Sequence, residues 1–315
     1  MRILTQSLIT RVPRFRSRSS VAVLGWFALL AASCSAEQTV ATEVDGAWSP
    51  PGRQWLVDNL SVARANCDVY QLEEDISIQG QLDEQLRGQE ACEETLLSLM
   101  GARPRGSVET HEESGAFHQL ALSLFGLLAM DLGPVHHVDE LAGAHPNSLV
   151  GSCFQQEVEY VGDFMGVEQV GPTIFNLVTS SVVHTEVEQL DEDTPFLEGV
   201  ESDVLVYAKV EHGTRTLTLN GSYFIAAPHV FSSSLLLHEA AHVYMDTHHT
   251  PCLSDLDVGP ICDSDWDGAW GFGFGLIGVA STSLSEDGWF GYHGRWGTDV
   301  RPADVINAEH GRVAE

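Results

Sequence analysis

The sequence has few positive charges. Its 315 residues include 15 Lys and Arg against 45 Asp and Glu, which gives a formal net charge of −30, and Lys209 is its only lysine. This excess of acid repels the phosphate backbone, and we therefore expect no nucleic-acid partner. Hydrophobic residues nevertheless make up 43% of the chain. We expect a folded core with an acidic, solvated surface rather than a disordered chain.

The N-terminus lacks a hydrophobic run long enough to cross a membrane. The apolar run at residues 21–32 has twelve residues, whereas a spanning helix needs about 20. The first 34 residues contain five arginines and no carboxylate, so the rest of the chain has 45 acidic and 10 basic residues, a net charge of −35. A basic start followed by a short apolar run and small residues is typical of an export signal.

Residues 31–34 read Ala-Ala-Ser-Cys. They resemble the lipobox of bacterial lipoproteins, with Ala31 where leucine is usual. The resemblance implies that Cys34 is acylated and anchors the protein to a bacterial membrane, facing the periplasm or the exterior. Anionic lipid repels an acidic body, so this lipid is the only membrane contact that we expect. Cleavage near Ala36 is the alternative, and it would discard Cys34 and release a secreted protein.

Composition and periodicity divide the chain into four parts. These are a signal peptide (1–33), a polar tether (34–52), a helical scaffold (53–200) and a region that carries the chemistry (201–315). Within the scaffold, residues 117–132 are apolar nearly all round and predict a buried helix. Strand-like runs at 203–210 and 215–224 flank a turn at 211–214 and predict a hairpin. Residues 231–246 then predict a helix, so we expect an α+β fold with a mostly helical N-terminal half.

Export allows disulfides to persist, because the compartments outside the cytosol are oxidising. Five cysteines lie beyond Cys34: Cys67, Cys92, Cys153, Cys252 and Cys262. A bridge between Cys252 and Cys262 would close a short loop, and Cys67 with Cys92 is a second pair, which leaves Cys153 single. Sequence alone does not fix the connectivity.

The strongest motif is His238-Glu239-Ala240-Ala241-His242, the pattern H-E-x-x-H. On a helix, residues four apart share a face, so two imidazoles can bind one zinc ion while the glutamate reaches a water on the metal. Apolar neighbours make this helix a buried one, where two histidines and a glutamate are costly without a role. The alternative interpretation is a pair of core histidines that bind no metal.

From about residue 203 to the C-terminus, the chain resembles the zincin metallopeptidases at this motif. The resemblance implies a zincin-like catalytic part in which a small sheet or hairpin accompanies the H-E-x-x-H helix. It also implies one zinc ion held by His238 and His242, Glu239 as the general base, and a peptide or protein as substrate. Zincin subfamilies differ in their third zinc ligand.

Four downstream residues are candidates for that ligand, in the order Asp267, Glu286, His248 and Asp299. Asp267 comes first because residues 264–271 resemble the aspzincin signature G-T-x-D-x-x-Y-G. The Asp of that signature binds zinc. Here Trp270 stands in the tyrosine place and the leading Gly-Thr is missing. A bridge between Cys252 and Cys262 would stiffen the connection that presents Asp267.

The other candidates fit their patterns less well. His248 has the metzincin spacing H-E-x-x-H-x-x-G-x-x-H, but Met245 replaces the glycine that turns the chain out of the helix. We therefore interpret His248 and His249 as helix-end or loop histidines. Glu286 lies at the range at which gluzincins supply a glutamate, whereas the sequence around Asp299 lacks the rest of the aspzincin pattern.

Two further features have alternative interpretations. Residues 263–268 read D-x-D-x-D-G, the opening of a calcium loop, yet Phe274 stands where position twelve needs a bidentate glutamate. Calcium is therefore a lesser candidate than zinc, and a solvated acidic turn explains the stretch equally well. Tyr292 and His293 are candidates to donate a hydrogen bond to a developing oxyanion, or members of a packed aromatic turn.

These observations predict an exported, lipid-anchored zinc metallopeptidase that hydrolyses peptide bonds with a zinc-activated water and Glu239 as general base. A non-enzymatic envelope lipoprotein that binds zinc or calcium for stability or partner recognition is the alternative. A metal-free helical scaffold or adhesion module is the third hypothesis.

Overall fold

The structure, a computed structural model, describes a large part of the chain beyond the tether. The described residues are 51–69, 78–104, 107–108, 110–129, 149–188, 207–227, 229–251, 261–263, 269, 271–273 and 275–276. The predicted signal peptide, the lipobox with Cys34 and most of the tether lie outside them. The boundary that composition places at residue 200 also falls outside, between residues 188 and 207.

Helices make up most of the described chain, as the sequence predicts. A 3₁₀ turn, Pro51–Trp55, precedes α1 (Asn59–Asn66), α2 (Ile78–Arg87), α3 (Glu90–Leu99), α4 (His111–Ala129), α5 (Leu149–Met165) and α6 (Val170–Ser181). The remaining helices are α7 (Gly221–Ala226) and α8 (His229–Met245).

Helix α4 is the predicted buried helix. It begins six residues before residue 117, where the Thr110 hydroxyl accepts a hydrogen bond from the Glu113 backbone N–H at 3.1 Å. This is the arrangement of a helix N-cap, and the acidic residues in the first turn suit the helix dipole. All residues from Ala116 to Leu127 are buried. No helix in the described ranges combines the length and the apolar character needed to cross a membrane.

A small mixed sheet accompanies the helices, so the fold is α+β. Its strands are β1 (His184–Glu188), β2 (Ala208–Glu211) and β3 (Thr216–Asn220), in the order β1-β3-β2. Strand β3 is parallel to β1 and antiparallel to β2, with Val210 opposite Leu217. The predicted hairpin between β2 and β3 is confirmed. Strand β1 comes from the segment in which the sequence predicts a helical scaffold.

One element of the hairpin prediction is wrong. The sequence predicts a strand from 215 to 224, but β3 ends at Asn220 and the short helix α7 begins at Gly221. Helix α7 packs against α4, and Phe224 is fully buried there. A short apolar run does not distinguish a strand from a buried helical turn, and here the packing against α4 decides.

Helix α8 carries the H-E-x-x-H motif and lies at the centre of the packing. It contacts α4, α6, β2 and the 3₁₀ turn. The 3₁₀ turn approaches so closely that a Cβ atom on Gly52 would lie 2.5 Å from the Cα of Tyr244. Glycine is therefore required at position 52. The predicted break before the helix, at Pro228, agrees with a helix that begins at His229.

The predicted disulfide between Cys67 and Cys92 is confirmed. It joins the residue that follows α1 to α3 across a sequence separation of 25. Closing a loop of this length removes conformational freedom from the unfolded chain and stabilises the fold by roughly 3.5 kcal/mol in the chain-entropy model. The predicted bridge between Cys252 and Cys262 lies outside the described side chains.

Candidate metal centre

The H-E-x-x-H motif lies in the last two turns of α8, as the sequence predicts. His238, Glu239 and His242 are all buried. The two histidine rings lie edge to face, with their centroids 4.9 Å apart. The i, i+4 spacing therefore places both imidazoles on one face of the helix.

A third imidazole joins them, from His249. Its Nε2 atom lies 3.1 Å from the Nε2 of His238 and 3.1 Å from the Nε2 of His242. Three imidazole nitrogens thus converge on one point. Within the described residues, His238, His242 and His249 form one of two groups whose ligand atoms could hold a metal ion.

The end of α8 explains how His249 reaches the motif. Helix α8 ends at Met245, and Asp246 adopts a left-handed conformation with φ of 57°. Aspartate tolerates this conformation better than most residues, so it can take the place that glycine often fills at a helix end. The chain then turns back, and His249 opens strand β4 (His249–Pro251), which pairs with β5 (Ile261–Asp263).

The three histidines fit a divalent cation. Zinc bonds of about 2.0–2.1 Å in tetrahedral geometry place ligand nitrogens about 3.3 Å apart, close to the observed 3.1 Å. The Nδ1–H of His242 donates to the Thr247 carbonyl at 2.8 Å, which fixes the tautomer and leaves the Nε2 lone pair for a metal. A proton on His249 can serve one neighbour at a time, whereas a cation satisfies all three lone pairs.

The surroundings keep the His242 imidazole neutral. Burial, followed by the repulsion of His249, lowers the pKa of His242 to about 3. A neutral imidazole is the form that binds a metal, because the protonated ring has no free lone pair. His242 is therefore in the metal-binding form at neutral pH.

Glu239 belongs to α8, and its side chain faces strand β2. Burial raises its pKa well above the usual value, and a hydrogen bond from the Val210 backbone N–H partly opposes this effect. A carboxylate with a raised pKa is a stronger proton acceptor. Val210 belongs to β2, one of the two edge strands of the sheet in the part of the chain that the structure describes.

A buried polar network fixes the C-terminal half of α8. The Tyr244 hydroxyl donates to Glu157 Oε1 at 2.6 Å, and Arg53 pairs with the same carboxylate at 3.4 Å. The guanidinium also lies over the Tyr160 ring, 3.4 Å from its centroid. Because Tyr244 follows His242 by two residues, this network connects the turn of α8 that carries His242 to α5 and to the 3₁₀ turn.

Of the four predicted candidates for the third ligand, only His248 belongs to the described residues. Asp267, Glu286 and Asp299 lie outside the described residues, as do Tyr292 and His293, so these predictions stay predictions. Of residues 263–268, which open the predicted calcium loop, only Asp263 is described, in β5. Gly273 follows the aspzincin-like stretch and lies against α8, where its carbonyl accepts from the Ser234 hydroxyl at 2.7 Å.

The sequence predicts that both His248 and His249 are helix-end or loop histidines, but the structure brings His249 to His238 and His242. The metzincin spacing singles out His248, but His248 is exposed and lies beside Asp246, with its Nε2 3.9 Å from an Asp246 carboxylate oxygen. The left-handed residue and the third histidine both come one position later than in that pattern. Asp246 was the available signal in the sequence, because an aspartate can end a helix where Met245 cannot.

Comparisons of the chain with protein-family models, with curated proteins and with solved structures found no match.

Proposed function

We propose that the protein is an exported, lipid-anchored zinc metallopeptidase whose zinc ligands are His238, His242 and His249. The observation that carries the proposal is the convergence of three Nε2 atoms, with contacts of 3.1 Å, one residue away from a buried glutamate. Three histidines leave the fourth tetrahedral position for water or substrate, which is the arrangement of a catalytic rather than a structural zinc site. Asp267 is a further candidate ligand for the same zinc ion.

Each residue of the site has a separate role in the proposed reaction. Zinc, when bound, lowers the pKa of a water and polarises a substrate carbonyl. His242 is oriented by its bond to the Thr247 carbonyl, and His249 is presented by the turn at Asp246. Glu239 accepts the proton of the attacking water and can pass it to the leaving amine. Its backbone partner Val210 holds the carboxylate near the edge of the sheet.

The zincin resemblance supports a peptide substrate, and the N-terminal sequence supports export. The net charge of −35 on the body beyond residue 34 opposes direct adsorption to anionic lipid, which favours an acyl chain on Cys34 as the anchor.

The test compares the full mature protein with Glu239→Gln and His242→Ala. Glu239→Gln keeps the shape of the side chain and should retain zinc while cleavage of a peptide library is lost. His242→Ala should lose one equivalent of tightly bound zinc together with activity, as measured by elemental analysis and peptide turnover.

Each other outcome has a defined meaning. A protein that keeps zinc on these histidines but cleaves no peptide is a metal-binding envelope lipoprotein. A protein whose zinc content is unchanged in His242→Ala does not use this site, and the proposal is then wrong.

A further inference from the structure

A second group of metal-ligating side chains lies beside the H-E-x-x-H site. It consists of His212, Asp246 and His248, whose ligand atoms all lie within 4.8 Å of one another. His212 sits in the turn between β2 and β3, and the other two follow the end of α8. We call these three residues the rim group. None of them belongs to the three histidines of the inner site.

The geometry of the rim group approaches that of a metal centre. His212 Nδ1 lies 3.3 Å from Asp246 Oδ1, and His248 Nε2 lies 3.9 Å from the same atom. The first distance equals the spacing of about 3.3 Å between ligands in tetrahedral zinc sites, and the second needs a shift of roughly 0.6 Å. The planes of the His212 and His248 rings are tilted by 33° to each other, with centroids 4.6 Å apart.

A second observation concerns the other nitrogen of the His212 ring. The Nε2 atom of His212 is buried and has no hydrogen-bond partner among the described residues. Buried polar nitrogens are rarely left in this state, because the loss of hydration is then uncompensated. One ring nitrogen of His212 therefore faces Asp246 while the other awaits a partner. A metal bound at Nε2 would supply that partner, whereas a metal bound at Nδ1, beside Asp246, would leave Nε2 without one among the described residues.

The ligand types select the class of ion. Two imidazoles and one carboxylate suit zinc and its first-row neighbours, whereas calcium and magnesium prefer oxygen donors throughout. The side chains of Asp246 and His248 are 64% and 70% exposed. Exposed ligands are less preorganised, so the rim group should bind more weakly than the buried inner histidines.

The rim group is connected to the inner site through one short segment. Asp246 sits at the left-handed turn, and His248 directly precedes His249, which is an inner ligand in the proposed function. On the other side, the His212 ring lies 6.2 Å from the His242 ring. An ion held by the rim group would clamp the β2–β3 turn to the end of α8, and it would hold the segment that presents His249.

We propose that His212, Asp246 and His248 form a second, weaker transition-metal site that fastens the β2–β3 turn to the end of the H-E-x-x-H helix. This site does not depend on the proposed function, because it uses none of the inner histidines.

The experiment measures zinc binding to the full mature chain by equilibrium dialysis and elemental analysis. Wild type is compared with His212→Ala, His248→Ala and Asp246→Asn. The matched control is His111→Ala, which removes an exposed histidine outside the rim group. The first two variants should lose one equivalent of the weaker class of bound zinc. Asp246→Asn keeps the left-handed turn and should weaken that class about tenfold or more. His111→Ala should bind as wild type.

The same titration in a His242→Ala background separates the two sites. The weaker equivalent should persist there and disappear when His248→Ala is added. If the inner site binds no zinc, the equivalent of zinc bound by the rim group should still be present in wild type and should still be lost in His248→Ala. Failure of the proposed function is therefore distinguishable from failure of the second site. Equal zinc content in wild type, His212→Ala and His248→Ala would overturn the second site. The cobalt-substituted protein provides a further readout, since loss of a ligand changes its visible absorption.

Discussion

Two buried histidine environments in this protein shift the pKa of histidine in opposite directions. His118 lies between the carboxylates of Asp83 and Glu93, at 2.6 and 2.9 Å, and its hydrogen bond to Glu93 is the largest cause of a raised pKa. His242 lies among imidazoles, and burial lowers its pKa to about 3. The first environment favours the protonated form of the histidine, which joins α2, α3 and α4. The second keeps it neutral, with a lone pair available for a metal.

The comparison shows that carboxylate partners can reverse the effect of burial on the pKa of a core histidine. Both side chains are about equally buried. Carboxylates stabilise the protonated ring, whereas neighbouring imidazoles and an apolar helix face penalise it. The following predictions test this difference, from the largest expected effect to the smallest.

Removing an inner ligand should have the largest effect. His249→Ala is expected to weaken zinc binding by more than about 100-fold, because even residues that only orient a ligand cost 10- to 100-fold. Asp267→Ala tests the alternative third ligand, and a chelator competition assay measures both. A large loss in Asp267→Ala with none in His249→Ala would assign the third position to Asp267.

His229 tests burial without any neighbouring charge. It opens α8, it is fully buried without a hydrogen-bond partner on either ring nitrogen among the described residues, and burial lowers its pKa to about 4. The unfolded chain takes up this proton near pH 6.5 while the folded chain does not, so acid destabilises the fold. We expect a loss of about 2 kcal/mol between pH 6.5 and pH 5 from this residue.

The measurement is urea unfolding of the metal-free protein at several pH values, wild type against His229→Leu. The variant should lose less stability on acidification than wild type does. Parallel pH profiles would show that His229 can be protonated in the folded state.

His118 should respond to pH with the opposite sign. Its folded pKa is raised above the unfolded value of about 6.5. Its contribution is therefore fully present below pH 6.5 and is lost as the pH rises through the folded pKa. His118→Gln should cost about 1.5–3 kcal/mol at pH 5.5, the value of hydrogen bonds to charged groups, and less at pH 9.

Glu93→Gln provides the matched control for His118. It should lower the pKa of His118, as followed by nuclear magnetic resonance of the imidazole protons, because the largest cause of the shift is removed. A His118 pKa that does not fall in Glu93→Gln would contradict the assignment of this cause.

The smallest effect belongs to the exposed partner of Asp83. Arg87 forms an i, i+4 ion pair with Asp83 at 2.8 Å, and its side chain is 57% exposed. Arg87→Ala should cost only about 0.3–0.5 kcal/mol in urea unfolding and should depend on salt. A cost equal to that of His118→Gln would mean that the exposed pair shares in the buried network.

Local patterns were sufficient for the elements around the motif. The helix at residues 231–246 is α8 to within two residues at each end, since apolar residues and a preceding proline define it. The hairpin turn and the buried helix α4 were predicted for similar reasons. Strand β1 was missed because a five-residue strand in a helical context has too few residues to show a period, and its pairing with β3 spans 32 residues.

The sequence by itself determined the core of the candidate site. His238, Glu239 and His242 share a helix face because helical geometry places residues four apart on one side. Only the tertiary structure decided which further histidine meets them. The choice of His249 over His248 depends on one left-handed residue at Asp246 and on the pairing of β4 with β5, and neither is set by spacing. Contacts between distant segments also decided that His118 has carboxylates as partners whereas the inner histidines have one another.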